Sequence, residues 1–104
     1  MSKTTASWNG HIIAASDACV VFDNNIYFPP DALHKEFFTN SAHTSVCSWK
    51  GTANYMDVVV DGKTNANAMW VYSDPKSAAS PITGYVAFWK GVEVKGAEFA
   101  KAVS

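Results

Sequence analysis

Arginine is missing from this chain, and charged residues of either sign are scarce. The 104 residues include 8 lysines and 9 acidic residues, so the formal net charge is −1 and only 16% of the chain is charged. Proteins that bind long nucleic acids usually carry a basic stripe or have a pI above about 9, whereas these lysines are scattered and the pI is near 6.2. We therefore expect no long nucleic acid as a partner. A lysine can still bind a phosphate as a point charge, so the composition does not exclude small nucleotides as ligands.

Long apolar runs are also absent, and cysteine is rare. No run approaches the ~20 apolar residues of a membrane helix, and Met1–Thr5 lacks the apolar core of a secretory signal. Cys19 and Cys47 form no C-x-x-C pair, and the three histidines do not join them at metal-ligand spacing. We expect no membrane partner, no metal and no cofactor. Free thiols without a signal predict a cytoplasmic location.

Aromatic and apolar side chains are plentiful instead. Aromatic residues make up 13% of the chain and apolar residues 48%. Disordered chains have the opposite composition, poor in aromatics and rich in charge. A chain of this length is the size of one ordinary domain. We therefore predict a single globular domain over residues 1–104.

Turn signals divide the chain into short strands. Asn9-Gly10, Asn24-Asn25, Asp61-Gly62 and Lys90-Gly91 are residue pairs typical of tight turns. The strands predicted around these and other breaks are Thr5–Trp8, His11–Ala15, Ala18–Asp23, Ile26–Phe28, Tyr55–Val60, Lys63–Asn67, Ala68–Tyr72, Ile82–Trp89 and Val92–Lys95.

One short helix is predicted between these strands. Pro29 and Pro30 end the preceding strand, and proline suits the first turn of a helix. Leu33 and Phe37 then follow at i and i+4, which predicts about two helical turns over Asp31–Phe38. The predicted fold class is therefore mostly β with one short helix (α+β), in a single small curled antiparallel sheet or a small barrel.

Alternation along the strands gives each of them an aliphatic face and an aromatic face. The aliphatic faces, which we expect to form the core, hold Met56, Val58, Val60, Met69, Val71, Ile82, Val86 and Phe88. The other faces hold Tyr55, Trp70, Tyr72, Tyr85 and Trp89. These aromatics either line a concave small-molecule pocket or cover the sheet with their polar tips in water. The pattern leaves both interpretations open.

Cys47 is the candidate nucleophile of this sequence. His43 precedes it by four residues, but the residues between them favour an extended chain. At ~3.3 Å per residue, the two side chains are then ~13 Å apart, too far for a hydrogen bond. Lys50 is a more plausible neighbour, because an ammonium group favours the thiolate. The alternative is a buried cysteine that acts as a small hydrophobe.

Other catalytic patterns fail on spacing. Ser73–Lys76 matches S-x-x-K, but Pro75 prevents the helix on which that motif depends. The sequence holds no phosphate loop, no G-x-G-x-x-G motif and no close pair of carboxylates on one predicted strand. We therefore assign no catalytic residue.

Four segments in a fixed order resemble one known family. They are Tyr27–Pro29, His43–Tyr55, Ala68–Pro75 and Gly84–Phe88. Together they resemble the bacterial and fungal domain of unknown function 427, also labelled nucleotidyltransferase-like, over about residues 7 to 95. The resemblance implies a compact, β-rich, cytoplasmic domain that usually stands alone. It also implies a relation to tent-like β-sheet domains, some of which bind small heterocycles in an aromatic cage.

One motif of that family departs from its usual form here. Cys-Pro-aromatic-Lys-Gly is replaced by the segment Cys47–Gly51, in which Ser48 stands at the proline position. The substitution makes the turn less rigid and keeps the thiol, the ring and the ammonium group. The nucleotidyltransferase label carries over no catalytic residue, because the family has no established active site.

These observations predict a domain that binds a small planar ligand without robust catalysis. In this interpretation aromatic rings stack on the ligand, and Lys50 contacts an anionic or carbonyl group. The predicted ligand-binding residues are Cys47, Trp49, Lys50, Tyr55, Trp70 and Tyr72. One alternative is a nucleotidyltransferase-like enzyme that depends on Lys50 or Asp57. A second is a protein–protein interaction module with an exposed apolar patch of several hundred Å².

Overall fold

Short β-strands account for most of the chain in the computed structural model, which describes residues 3–103. The strands are β1 (Thr4–Trp8), β2 (His11–Ser16), β3 (Val20–Phe22), β4 (Asn25–Tyr27), β5 (Phe38–Cys47), β6 (Gly51–Val60), β7 (Lys63–Val71), β8 (Val86–Phe88), β9 (Glu93–Lys95) and β10 (Lys101–Ala102). Four short 3₁₀ segments connect them, at Pro30–Ala32, Lys35–Phe37, Ser77–Ile82 and Ala97–Phe99. The mostly-β class predicted from the sequence is confirmed. Within the described residues, no helix has the length and apolarity that crossing a membrane requires.

The strands form three small sheets. The largest has the order β5-β6-β7-β8 and is antiparallel throughout. The second has the order β2-β1-β9, and the third has the order β10-β3-β4 with β10 and β3 parallel. Among residues 3–103 none of the sheets closes into a barrel, so three sheets replace the single one expected. Proline after β4 and the 3₁₀ segment before β8 interrupt the strands that a closed sheet would need.

Two-residue turns with positive φ make the hairpins. Asn9-Gly10 has φ values of 50° and 80°, and Asp61-Gly62 has 51° and 75°, as a type I′ turn requires. The third turn is Asp23-Asn24, at 51° and 62°, one residue earlier than predicted. Lys90-Gly91 also turns, but β9 after it pairs with β1 and does not return along β8. The residues next to a turn therefore determine where the chain turns, but they do not determine which strand the following strand pairs with.

The predicted helix Asp31–Phe38 does not form. Two separate 3₁₀ segments take its place, and Leu33 between them has an extended backbone, with φ −75° and ψ 133°. Leu33 pairs with Ala14 of β2, and the His34 amide donates to the carbonyl oxygen of Ile13 at 2.9 Å. Pairing with a neighbouring strand therefore outweighs the local i, i+4 pattern.

The predicted strand Ile82–Trp89 is shortened to β8. A 3₁₀ segment includes its first residue, and Gly84 has φ 75°, which breaks the alternation of side chains. As a result, Ile82 is buried with Ala87 and not with Val86 as predicted.

Buried side chains form two clusters. The first cluster contains the expected core residues other than Ile82, and its buried members are Ala6, Ile13, Ala14, Cys19, Phe28, Ala32, Val58, Val60, Ala68, Met69 and Val86. The second cluster consists of Phe22, Tyr27, Ala53, Tyr72, Ala79, Ile82 and Ala87. Cys47, Tyr55 and Trp70 pack against this second cluster and remain partly exposed. The second cluster therefore supports the aromatic faces of the largest sheet.

Candidate functional site

An open cleft of about 210 Å³ borders the second cluster. Its lining combines four aromatic side chains with one lysine, namely Lys50, Tyr55, Trp70, Tyr72 and Trp89. We call it the aromatic cleft. Four of the six residues predicted to bind ligand line it, and Trp89 is an addition.

Strand register brings these rings to one face of the sheet. Tyr55 of β6 is paired with Trp70 of β7, and Trp70 is paired with Ala87 of β8. Paired residues on neighbouring strands point to the same side, and side chains alternate along a strand. Tyr72 and Trp89, each two residues further along the chain, therefore join the same face. The rings of the aromatic cleft come from three adjacent strands and their ends.

The rings also pack against one another. The ring centroids of Trp70 and Trp89 are 6.1 Å apart with an interplanar angle of 87°, an edge-to-face contact. The ring centroids of Tyr55 and Trp89 are 6.3 Å apart with an interplanar angle of 43°. Tyr27, in the second cluster, makes an edge-to-face contact with Trp70 at a centroid distance of 6.3 Å. Such pairs contribute about 0.5–1.5 kcal/mol each beyond their buried area. The rings therefore brace one another in place.

The polar ends of three rings form hydrogen bonds with other groups of the protein. The Trp70 indole N–H donates to the Tyr27 hydroxyl at 3.3 Å, and the Trp89 indole N–H donates to the carbonyl oxygen of Asn67 at 2.5 Å. The Tyr55 hydroxyl is hydrogen-bonded to the Ser45 hydroxyl at 2.9 Å. The N–H groups of both indoles are therefore already engaged within the protein.

An irregularity between β6 and β7 orients Trp89. The pairing register shifts between Met56 and Val58, and Asn67 opposite this shift has φ 59°. The backbone N–H of Asn67 donates to the Asp57 carboxylate at 2.8 Å, while the backbone carbonyl oxygen of Asn67 accepts from the indole N–H of Trp89. Asp57, the carboxylate named in the enzyme hypothesis, thus holds the backbone that positions a ring of the cleft.

Lys50 is the cation of the aromatic cleft. It is only 7% exposed, and its ammonium forms an ion pair with Asp23 at 2.5 Å. The same nitrogen is 5.1 Å from the ring centroid of Trp49 and 5.9 Å from that of Tyr72. Burial by itself lowers the pKa of Lys50, but the hydrogen bond to Asp23 and the negative charge of Asp23 outweigh it. The pKa is therefore raised, and the side chain is an ammonium at neutral pH.

The buried phenols remain protonated beside this cation. Burial raises the pKa of Tyr72, and the charge of Lys50 offsets part of that effect. Burial also raises the pKa of Tyr27, against the hydrogen bond from Trp70 and the charge of Lys50. Neither of these two phenols is ionised at neutral pH, so they add no negative charge beside Lys50.

The other two predicted site residues lie on the turn that carries Lys50. Trp49 is 43% exposed and packs against Phe22, with ring centroids 5.9 Å apart. Cys47 ends β5, where hydrogen bonds from the amides of Trp49 and Lys50 lower the pKa of its thiol. Neither residue lines the aromatic cleft. They belong to the turn behind it.

His43 and Cys47 both lie in β5, so the extended conformation predicted between them is confirmed. The His43 ring instead contacts Tyr55, with centroids 4.7 Å apart. Trp89 is the cleft residue missing from the predicted set. In the sequence, Trp89 alternates onto the same strand face as Tyr85 and Ala87. This pattern is the same whether the aromatic side chains line a pocket or only cover the sheet, so it did not identify Trp89 as a binding residue.

A second cavity of about 570 Å³ lies at the 3₁₀ segments and is lined by Pro30, Asp31, Leu33, Lys35, Phe38 and Met56. None of the residues predicted to bind ligand lines it. Within residues 3–103 no three His, Cys, Asp or Glu side chains come close enough together to hold a metal ion.

Comparison with known proteins agrees with the resemblance seen in the sequence. No curated protein matches the chain. The model of one family, described as a domain of unknown function (DUF427) and given a label that refers to NTP transfer, matches residues 2–98. That range includes every residue of the aromatic cleft. The chain therefore belongs to the DUF427 family.

Proposed function

We propose that this protein binds a small planar ligand in the aromatic cleft and acts as a binding domain without robust catalysis. The observation that carries the proposal is the convergence of four rings from neighbouring strands around an open space. Both indole N–H groups already donate within the protein, so a ligand contacts these two residues through their carbon surfaces. Stacking on flat faces selects planar molecules.

The size of the aromatic cleft limits the ligand. Its volume of about 210 Å³ is below the range of roughly 300–1,000 Å³ typical of sites for drug-sized molecules. A ligand of one or two fused rings is the appropriate size. Aromatic cages also bind organic cations, but the ammonium of Lys50 repels a second cation. The proposed ligand is therefore neutral or anionic.

Lys50 supplies the polar contact of the site. A lysine ammonium has three N–H donors, and the Asp23 carboxylate takes one of them. The others are available to a carbonyl or anionic group at the edge of a stacked ring. We also place this function in the cytoplasm, because Cys19 and Cys47 are free thiols.

A thermal-shift screen tests the proposal. The panel contains planar heterocycles and, separately, nucleotides with magnesium. A ligand at a hundred times its Kd adds about 2.7 kcal/mol, which shifts the Tm of a domain this size by more than about 5 °C. We expect planar heterocycles to shift the Tm of the wild-type protein and of Trp8→Leu, but not that of Trp70→Leu. Trp8 is the matched control, because it is also half-buried but packs against the first cluster.

Each other outcome has a definite meaning. A shift that requires both a nucleotide and magnesium favours the nucleotidyltransferase-like alternative. Equal shifts in Trp70→Leu and Trp8→Leu place the ligand outside the aromatic cleft. No shift across the panel overturns the proposal and favours a protein–protein interaction module.

A further inference from the structure

We propose that the ligand of the aromatic cleft is a planar aromatic carboxylate, and that its carboxylate takes the place of Asp23 on Lys50. This inference rests on the proposed function of the cleft and names the class of ligand. Its starting point is that the Lys50 ammonium already binds a carboxylate, one supplied by the chain itself.

The two partners of this ion pair differ in their access to water. The Lys50 side chain is 9% exposed, whereas the Asp23 side chain is 46% exposed. Asp23 lies on the two-residue turn between β3 and β4, at φ 51°. Its carboxylate can therefore return to water at little cost, while the ammonium stays buried at the cleft. Because Lys50 is buried and Asp23 is not, another carboxylate can replace that of Asp23 at Lys50.

Charge balance favours an anionic ligand over a neutral one at this site. A buried charge without a partner is strongly destabilising, so a neutral carbonyl that displaced Asp23 would leave Lys50 uncompensated. A ligand carboxylate that displaced Asp23 keeps the ammonium paired. None of the five residues lining the cleft is acidic, so Asp23 is the carboxylate with which the carboxylate of a ligand competes for Lys50.

A second lysine adds to the positive potential. The Lys90 ammonium is 5.0 Å from the ring centroid of Trp89 and donates to the Ala66 carbonyl at 3.2 Å. Among residues 3–103, no carboxylate lies within ion-pair distance of it. It is closer to the cleft ring than one Debye length, about 8 Å at physiological ionic strength. An anion in the cleft is therefore attracted by two ammonium groups once Asp23 has moved away.

Isothermal titration calorimetry with two probes of the same shape tests the inference. The probes are indole-3-carboxylate and indole-3-carboxamide, and the proteins are wild type, Asp23→Asn, Lys50→Met and Asp61→Asn. Asp61 is the matched control, because it holds the same turn position at the same φ of 51° and pairs with His11 and not with Lys50. Circular dichroism checks that each variant is folded.

We expect wild type to prefer the carboxylate over the carboxamide. Because water reaches the 46% exposed side chain of Asp23, its attraction to Lys50 is weakened, and removing this competing charge in Asp23→Asn should tighten carboxylate binding by roughly two- to fivefold. Carboxamide binding should not change, Asp61→Asn should match wild type, and Lys50→Met should lose the preference. If Lys50→Met does not fold, the carboxylate affinities of Asp23→Asn and Asp61→Asn are sufficient to test the inference.

Other results would overturn the inference in different ways. Equal binding of both probes, unchanged in Asp23→Asn, removes the carboxylate claim and leaves the aromatic cleft as a binding site for planar molecules. Weaker carboxylate binding in Asp23→Asn shows that Asp23 positions Lys50 for the ligand and does not compete with it. If neither probe binds to wild type or Asp23→Asn, the inference fails, whereas the proposed function fails only if the thermal-shift panel of planar heterocycles is also silent.

Discussion

The two cysteines show how far one residue type can differ between two places in a fold. Cys19 is 2% exposed in the first cluster, and burial raises the pKa of its thiol to about 11, against hydrogen bonds with Thr4 and Ser16. Cys47 is partly exposed at the end of β5, where the amides of Trp49 and Lys50 lower its pKa below the ordinary value of 9.0. Only Cys47 has the environment of a reactive thiol.

Alkylation by iodoacetamide should therefore be selective for Cys47. The pKa of the Cys19 thiol is raised to about 11 and that of the Cys47 thiol is lowered, so near neutral pH a much larger share of Cys47 is thiolate. We expect mass spectrometry of the folded protein to show Cys47 modified first and Cys47→Ser to react slowly. In denaturant both thiols should react alike, which is the control. Equal rates in the folded protein would contradict the assigned environments.

Asp57 illustrates a residue whose role is decided by the element in which it lies. Its carboxylate accepts a hydrogen bond from the backbone N–H of Asn67, where the register of β6 and β7 shifts. The backbone carbonyl oxygen of Asn67 accepts a hydrogen bond from the indole N–H of Trp89. A backbone N–H left without its partner costs about 1–3 kcal/mol when it is shielded from water. The irregular pairing and the placement of Trp89 therefore depend on one side chain.

Replacing that side chain should destabilise the protein measurably. We expect Asp57→Ala to lower the free energy of unfolding in urea by about 1–3 kcal/mol, and Asp57→Asn to lower it less, because an amide oxygen still accepts the bond. Planar heterocycles that bind the cleft should also bind Asp57→Ala more weakly, since Trp89 loses its support. The control is Asp31→Ala, at an exposed position of a 3₁₀ segment. Equal stability of the two alanine variants would remove this role from Asp57.

The whole molecule depends on contacts between distant parts of the chain. Gly96, after β9, has φ 76° and lies against the start of β1, where the Thr4 hydroxyl donates to its carbonyl oxygen at 2.8 Å. A Cβ at Gly96 would overlap the carbonyl oxygen of Lys3. Gly10 has a similar φ of 80°, but nothing lies within 4 Å of a Cβ added there.

The two glycines allow backbone strain to be separated from crowding. Gly10→Ala should cost about 1–2 kcal/mol for the left-handed conformation alone. Gly96→Ala should cost a further 1–3 kcal/mol or so, because the backbone of Lys3 or Gly96 must move. Denaturant unfolding of both variants measures the difference. If the two are equally destabilised, Gly96 is required only for its φ and not for the close approach of the two ends.

Local signals in the sequence were sufficient for most of the turns and most of the aliphatic strand faces, with Asn24-Asn25 and Ile82 as exceptions. Asn9-Gly10 and Asp61-Gly62 turn as predicted, and Val58 and Val60 are buried as the alternation indicated. Positive φ at a turn and the alternation of side chains depend on residues that are adjacent in sequence. For the same reason the mostly-β class could be predicted from the sequence.

Contacts between distant residues decided the rest. Leu33 is extended and not helical because Ala14, 19 positions earlier in the sequence, pairs with it. Trp89 joins the aromatic cleft through the register of β7 and β8, and Lys50 is paired because the turn at Asp23 reaches it. The sequence by itself determined which residues turn, alternate and carry rings or charge. Only the tertiary structure decided which of them meet, because strand pairing, burial and ion pairing depend on residues far apart in the chain.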